Sequence, residues 1–310
     1  TEPYTEGGID CRHGWEYNIK TGKAPDGYLD QQSVYDVKIH DDQILLSEQP
    51  IVRAKRAEHD HSAIKDLKAL QYQTTIDSIN ILGISTTNMA KGAARESTSE
   101  HALLQSLEHA KQQHSASTRL LKLRDLEFRA CEGYYSIHEQ ACTWPCSITD
   151  ANPNDGMTEV YRSMILWADV ILVATPIRWG NPSSLYFKMC ERLNCVQNQI
   201  TLHNKILIQN KVAGFIITGG QDNIQQVAGQ MGTFFTDLGF VLPPFHFVGW
   251  SRGWVAEDME NNVEQLKKSR YLKRSVKDLT DNAIRLSKQI KQMDSSHMNT
   301  PLPKRIESDI

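Results

Sequence analysis

Val170–Ile171–Leu172–Val173–Ala174 runs directly into Thr175–Pro176–Ile177–Arg178–Trp179–Gly180–Asn181–Pro182–Ser183–Ser184, and helical spacing resumes over Leu185–Cys195. Five consecutive apolar residues, two of them Val and one Ile, suit a strand covered on both faces. Pro176, Gly180 and Pro182 then punctuate the chain before the helix starts. A strand, a tight polar turn and a helix make half of a βαβ unit, and the same texture recurs on either side.

Upstream, Ile79–Ile84 reads as a strand, His101–Gln112 as a helix and Leu120–Leu123 as a second strand. Residues 127–156 form a long irregular loop, and Met157–Trp167 has helical apolar spacing. Downstream, Val212–Thr218 is a strand, Ile224–Leu238 a helix, and Val241–Val248 a final strand. This alternation predicts an α/β domain over 78–256, a doubly wound parallel five-stranded sheet with helices on both faces.

Outside that domain the texture changes. Residues 1–46 are rich in Gly, Asp and Tyr, with two short strands, 34–39 and 44–46, around a turn at His40–Gln43. Residues 47–77 are charged and read as a linker helix carrying Ala54, Ala57, Ile64, Leu67 and Leu70. In 257–310, Val263, Leu266, Leu272, Val276, Leu279 and Ile284 predict a helix or helix pair on the domain surface. From about residue 294 the tail reads as disordered.

Composition narrows the function. The 310 residues are 40% hydrophobic with a net charge of −3, and the basic residues are scattered. That composition supports a sizeable core and gives no electrostatic reason to expect nucleic acid or an anionic membrane. The longest apolar runs are strand-length, so no membrane span is expected. The cysteines Cys11, Cys131, Cys142, Cys146, Cys190 and Cys195 are too few and too unevenly spread for a disulfide scaffold. A soluble chain in a reducing, cytoplasmic setting is the expectation. Residue 1 is Thr rather than Met, which leaves room for an upstream targeting segment.

Three turns carry the candidate chemistry. Strand Ile79–Ile84 leads into Ser85–Thr86–Thr87–Asn88, then Gly92, Arg95 and Ser97–Thr98–Ser99–Glu100, followed by a helix. Hydroxyls beside a helix N-terminus suit a phosphate, because the dipole and the unpaired amides both favour an anion. The same residues also serve as ordinary caps, with Ser97 or Thr98 as N-cap. The turn lacks both the dinucleotide glycine pattern and a Gly-Lys-Ser/Thr triplet. The turn after Val170–Ala174 lies where open α/β sheets bind ligands, and its Pro176, Arg178, Trp179, Gly180 and Asn181 suit a flat heteroaromatic ring. Packing of Trp179 in a plain strand-to-helix connection is the other reading. The third turn is Thr218–Gly219–Gly220–Gln221.

Together these residues resemble the NADPH-dependent FMN reductase family of flavodoxin-like proteins. Pro176, Trp179, Gly180 and Asn181, then Lys188 and Glu191–Arg192, match its Pro-x-x-Trp-Gly-Asn loop and following helix. Ser85–Thr87 and Arg95–Ser99 match its phosphate loop, Thr218–Gln221 its third flavin loop, and Gly239 the turn before its last strand. The resemblance spans 79–250, with a phosphate loop longer and richer in Ala than usual. It implies a flavodoxin-like fold that binds FMN through Ser85, Thr87, Arg95, Ser97, Thr98, Ser99, Pro176, Ile177, Arg178, Trp179, Gly180, Asn181, Gly219, Gly220 and Gln221. It also implies NADPH or NADH as co-substrate, a flavin, quinone or similar small-molecule acceptor, and a homodimer. The cofactor carries the redox chemistry, so no catalytic side chain is assigned. Arg178 is the side chain best suited to a ring carbonyl or an anionic substrate.

Cys131, Cys142 and Cys146 fall in the long loop. Iron–sulfur relatives in this family hold a cluster there with four close cysteines. Three cysteines do not make that set, so the loop reads as a lid over the flavin. Cys190 and Cys195 read as buried packing residues, and His59, His61, His109, His114 and His138 as surface residues.

Cys11–Arg12–His13–Gly14–Trp15 resembles the second ligand motif of Rieske proteins, spaced Cys-x-His rather than Cys-x-x-His. Residues 1–46 would then be the C-terminal part of a Rieske-like β domain. Cys11 and His13 supply half of a ligand set, so a two-iron two-sulfur cluster requires further ligands upstream in a longer parent chain. The remaining reading of 1–46 is a small β extension. The alternative function that follows from a Rieske partner is a non-enzymatic flavin electron carrier.

Overall fold

The computed structural model describes residues 7–10, 15–23, 31–53, 78–90, 92–93, 95–136, 142–152, 154–220, 223–253 and 261–296. Contacts divide the chain into two compact units that are discontinuous in sequence. One comprises Leu67–Leu126, Glu159–Cys190 and Ile206–Ile310, and the other Thr1–Asp66, Glu127–Thr158 and Glu191–Lys205.

The smaller unit begins with two antiparallel hairpins. Strand β1 (Gly7–Asp10) pairs with β2 (Trp15–Asn18), and β3 (Val37–His40) with β4 (Gln43–Leu46). The second hairpin matches the expected strand pair around the His40–Gln43 turn. Its turn residues Asp41 and Asp42 both take positive φ, 48° and 58°, as a tight two-residue hairpin needs. Residues 47–53 are not helical, and Val52 bridges Val34. The rest of the expected linker helix, 54–77, lies outside the described residues, as do Cys11 and His13.

The larger unit is a five-stranded parallel sheet built from β5 (Asn80–Ser85), β6 (Ser117–Lys122), β7 (Val170–Pro176), β8 (Val212–Gly219) and β9 (Phe247–Ser251). Its spatial order is β6-β5-β7-β8-β9. That is the flavodoxin-like order, with the chain reversing direction between β5 and β7. Val170–Ala174 in the central strand is fully buried, which explains its unbroken apolar run.

Helices connect the strands. Helix α1 (Thr98–His114) follows β5. In the irregular 127–156 segment only α2 (Ser147–Ala151) and a short turn at Tyr134–Ser136 are helical among the described residues. Helix α3 (Met157–Tyr161) widens into a π-helix over Arg162–Trp167 before β7. Helix α4 (Ser184–Arg192) follows β7, and α5 (Asn194–His203) starts after Leu193. The helix expected over Leu185–Cys195 is therefore two helices, and α5 carries few apolar residues to announce it. Helix α6 (Ile224–Asp237) links β8 to the last strand.

That last strand is displaced from expectation. Val241 makes only an isolated bridge with Val212, and regular pairing starts at Phe247. Pro243 and Pro244 have no N–H for the ladder, and Phe245 turns the chain at φ 54°.

Helices α7 (Asn262–Lys268) and α8 (Arg270–Ser296) close the fold. They are the helix pair expected there, packed onto the sheet unit by its apolar residues. Leu266, Leu272, Val276, Leu279, Ala283 and Ile284 are buried in one cluster with Ala102, Leu103, Leu107 and Ala110 of α1 and with Val212 and Ile216 of β8. The other sheet face meets α6, where Phe215 packs edge-on against Phe235 with ring centroids 5.3 Å apart.

Candidate active site

The three polar turns leave the carboxyl ends of adjacent strands β5, β7 and β8, beside the reversal point of the sheet. Side chains and backbone tie each turn to the next. Ser183 Oγ donates to the Thr86 carbonyl at 2.6 Å and lies 3.0 Å from Thr86 Oγ1. Asn88 Nδ2 donates to Ser184 Oγ at 2.8 Å. The Ile177 amide donates to the Thr218 carbonyl at 2.8 Å. Asn223 Nδ2 reaches the Gly180 carbonyl at 2.8 Å, and Thr98 Oγ1 lies 2.8 Å from Thr218 Oγ1. The first, second and third turns thus form one connected polar rim.

In the first turn, Ser85, Thr86, Thr87 and Ser99 are buried. Ser97 is the N-cap of α1, its Oγ accepting from the Glu100 amide at 3.4 Å and standing 3.1 Å from Ser99 Oγ. The capping reading is thus realised by Ser97. It still leaves the first-turn amides of a 17-residue helix at the site, where an anion is favoured. Thr87 Oγ1 accepts from the Met89 amide at 3.3 Å, and Arg95 is exposed.

A charged group the sequence did not single out braces this turn from below. Glu100 is buried, and its carboxylate accepts from Ser85 Oγ at 2.9 Å, Lys122 Nζ at 2.8 Å and Arg124 Nη2 at 3.1 Å. Arg124 Nη1 also donates to the Met89 carbonyl at 2.9 Å. Ser85 therefore spends its hydroxyl on the brace. The only advance signal was an acidic residue in the first turn of α1, which reads equally as a dipole partner.

The second turn is a miniature hairpin. Arg178 and Asn181 exchange backbone hydrogen bonds at 2.7 and 2.9 Å, with Trp179 at φ 50° and Gly180 at φ 72° between them. Two positive φ values in a two-residue loop define a type I′ turn. Glycine is required at 180 for a second reason, since a Cβ there would stand 2.8 Å from Asn223 Nδ2. Tryptophan at 179 has no such licence, and its indole is 91% exposed rather than packed. The Arg178 and Asn181 amides are used within the turn, and the Ile177 amide on the Thr218 carbonyl. Pro176 ends β7 in register with Thr218.

In the third turn, Gly219 sits against Ile177, where a Cβ would approach to 2.8 Å. Its carbonyl accepts from the Arg252 amide at 3.0 Å. Gly220 is buried, and Gln221 lies outside the described residues.

The smaller unit has its own polar centre. Arg192 and Asp155 are buried with side chains 0% and 1% exposed. Arg192 donates to both Asp155 oxygens at 2.9 and 3.2 Å, to Thr149 Oγ1 at 2.7 Å and to the Arg129 carbonyl at 2.7 Å. Next to it, Cys146 is held far below the usual thiol range, at about 5, by a hydrogen bond from Cys195, the Arg192 charge and the Thr149 and Ile148 amides. Burial pushes Cys142 up to about 11. Cys195 is thus more than the packing residue its sequence position suggested.

A sequence model of NADPH-dependent FMN reductases matches residues 80–254, just over half of the chain. Among curated proteins, an 8-demethyl-8-aminoriboflavin-5'-phosphate synthase from Streptomyces davaonensis is 30% identical over 83 residues, 27% of this chain and 32% of that protein. A divalent metal cation transporter MntH from Mycobacterium bovis is 25% identical over 107 residues, 34% of this chain and 16% of the transporter. The chain therefore spans a third or less of the curated relatives it matches. Among solved structures, RosB with a bound intermediate, 8-demethyl-8-formylriboflavin-5'-phosphate, superposes with a TM-score of 0.54 at 16% identity, covering 75% of this chain and 92% of RosB.

Proposed function

The chain belongs to the NADPH-dependent FMN reductase family, and from that membership we propose that it moves hydride from NADPH or NADH through FMN to a small acceptor such as a flavin or quinone. The observation that carries this reading is the joined rim, in which Ser183–Thr86, Thr98–Thr218 and Asn223–Gly180 contacts hold three turns at the sheet's reversal point. The chemistry that FMN supplies when bound is hydride acceptance and onward electron transfer. The donor set suits it, with buried hydroxyls and a helix N-terminus for a phosphate and an extended polar turn for a planar ring.

In this reading the first-turn amides of α1, with Thr87 and Ser99, hold the phosphate, while Glu100 and Arg124 keep their turn in shape. The Trp179 and Gly180 amides and the Arg178 side chain face the ring carbonyls, because the Ile177, Arg178 and Asn181 amides already bond backbone carbonyls. The exposed Trp179 indole offers a flat wall for the ring or the nicotinamide. Gly219 and Gly220 let the third turn approach closely. Two copies pair to help cover the flavin, which a light-scattering mass tests. The Rieske-like reading of Cys11 and His13 rests on their motif alone, and iron and sulfide analysis tests it.

The function is tested by mixing FMN-loaded chain with NADPH or NADH without oxygen. Rapid bleaching of the flavin absorbance is expected with at least one of them. A flavin that neither nicotinamide reduces, but a protein donor does, would replace this reading with an electron carrier.

A further inference from the structure

His109 and His114 of α1 and Asp281 of α8 come together on the α1–α8 side of the sheet unit. His109 Nε2 lies 2.7 Å and His114 Nε2 2.6 Å from the same carboxylate oxygen, Asp281 Oδ1. The two rings stand nearly perpendicular, 80° apart, with centroids separated by 5.9 Å. The three donor atoms lie within 4.8 Å of one another. The side chains are 12%, 26% and 39% exposed, so the cluster is partly buried yet open to solvent. The sequence reading had both histidines as surface residues, and the fold instead draws them onto one aspartate.

We propose that His109, His114 and Asp281 form a binding site for a divalent transition metal of the zinc class, separate from the flavin rim. Two imidazoles and one carboxylate are borderline donors that suit zinc, and three protein ligands plus water complete a tetrahedron. Zinc places such donors roughly 3.3 Å apart, since each bond is about 2.0–2.2 Å. The present nitrogen–oxygen separations of 2.7 and 2.6 Å are shorter by about 0.6–0.7 Å on that scale. A small rotation of the part-exposed Asp281 side chain supplies the difference. A carboxylate only accepts, so in the metal-free site each Nε2 carries the ring proton toward Asp281 Oδ1; on binding that proton passes through solvent to Nδ1, and the freed Nε2 lone pair goes to the metal.

The ligands come from two helices far apart in sequence, so the ion would pin the C-terminal helix α8 to α1. These two helices share the buried cluster of Leu103, Leu107, Ala110, Val276, Leu279 and Ala283. Their packing is what fixes the geometry of the site.

The test uses the full chain, tag-free and stripped with a chelator, titrated with zinc alone by calorimetry. One zinc per chain with micromolar or tighter affinity is expected. His109→Gln and Asp281→Asn, which keep hydrogen-bonding capacity, should weaken it at least about 100-fold. Cobalt in place of zinc should give the intense visible absorption of a tetrahedral site, a readout that needs no variant. FMN affinity should be unchanged in both variants. Failure to bind zinc, zinc affinity equal in wild type and variants, or a purely octahedral cobalt spectrum would each overturn the proposal and leave a hydrogen-bonded helix clamp.

Discussion

Ser183 Oγ donates to the Thr86 carbonyl at 2.6 Å, with both residues fully buried. This bond joins the turn after β7 to the turn after β5. The same hydroxyl accepts from the Tyr186 amide at 3.2 Å, so it also starts helix α4. Ser183→Ala would strip the Thr86 carbonyl of this donor, at a cost of about 1–3 kcal/mol. We expect FMN affinity to fall by about tenfold as the two turns lose their register. Urea unfolding and an FMN titration of one variant check both parts. Lost stability with full FMN affinity would contradict the positioning role.

Trp179 holds a left-handed backbone at φ 50° while its indole is exposed. Asn adopts that conformation at less cost, and Asn-Gly is the preferred type I′ pair. Trp179→Asn should therefore raise stability by up to about 1 kcal/mol. It should at the same time slow nicotinamide oxidation, since the flat wall is gone. Thermal melts and steady-state turnover together check this, and a variant with unchanged turnover would remove Trp179 from the site.

The Arg192–Asp155 pair is bidentate and buried. Arg192→Met or Asp155→Asn leaves a buried charge without its partner, at about 3–5 kcal/mol. The double variant should lose less than the sum, because no orphaned charge remains. A double-mutant cycle by urea unfolding gives the coupling directly, and additive losses would contradict it.

Cys146 is shifted from the ordinary thiol value of 9.0 to about 5. A thiol depressed on folding stabilises the protein fully above the unfolded value, and that contribution is lost as pH falls through the folded value. Between pH 9.0 and about 5, wild type should lose stability relative to Cys146→Ser as the solution is acidified. Thiolate ultraviolet absorbance at neutral pH should disappear in the same variant. A pH-independent difference between the two proteins would show that Cys146 is an ordinary thiol.

The sheet was legible because its strands are covered on both faces, so Val170–Ala174 and Val212–Thr218 read as unbroken apolar runs. The turns were legible because Pro, Gly and hydroxyl residues mark them. The last strand was misplaced, since Val241 and Leu242 look like strand residues and the signal of Pro243 and Pro244, which break the ladder before Phe247, was overridden. The Glu100 brace, the Arg192–Asp155 pair and the His109–His114–Asp281 cluster join residues distant in sequence. Arg192 and Glu100 stood in marked motifs, but nothing local named their partners, and His109, His114, Asp155 and Asp281 read as solvated groups.

The most direct test of the account is an FMN titration of the purified chain, followed by flavin fluorescence. The joined rim predicts saturable quenching with one FMN per chain, weakened when Gly219→Ala forces a Cβ against Ile177. A chain that is colourless as purified and leaves FMN fluorescence unchanged would contradict it.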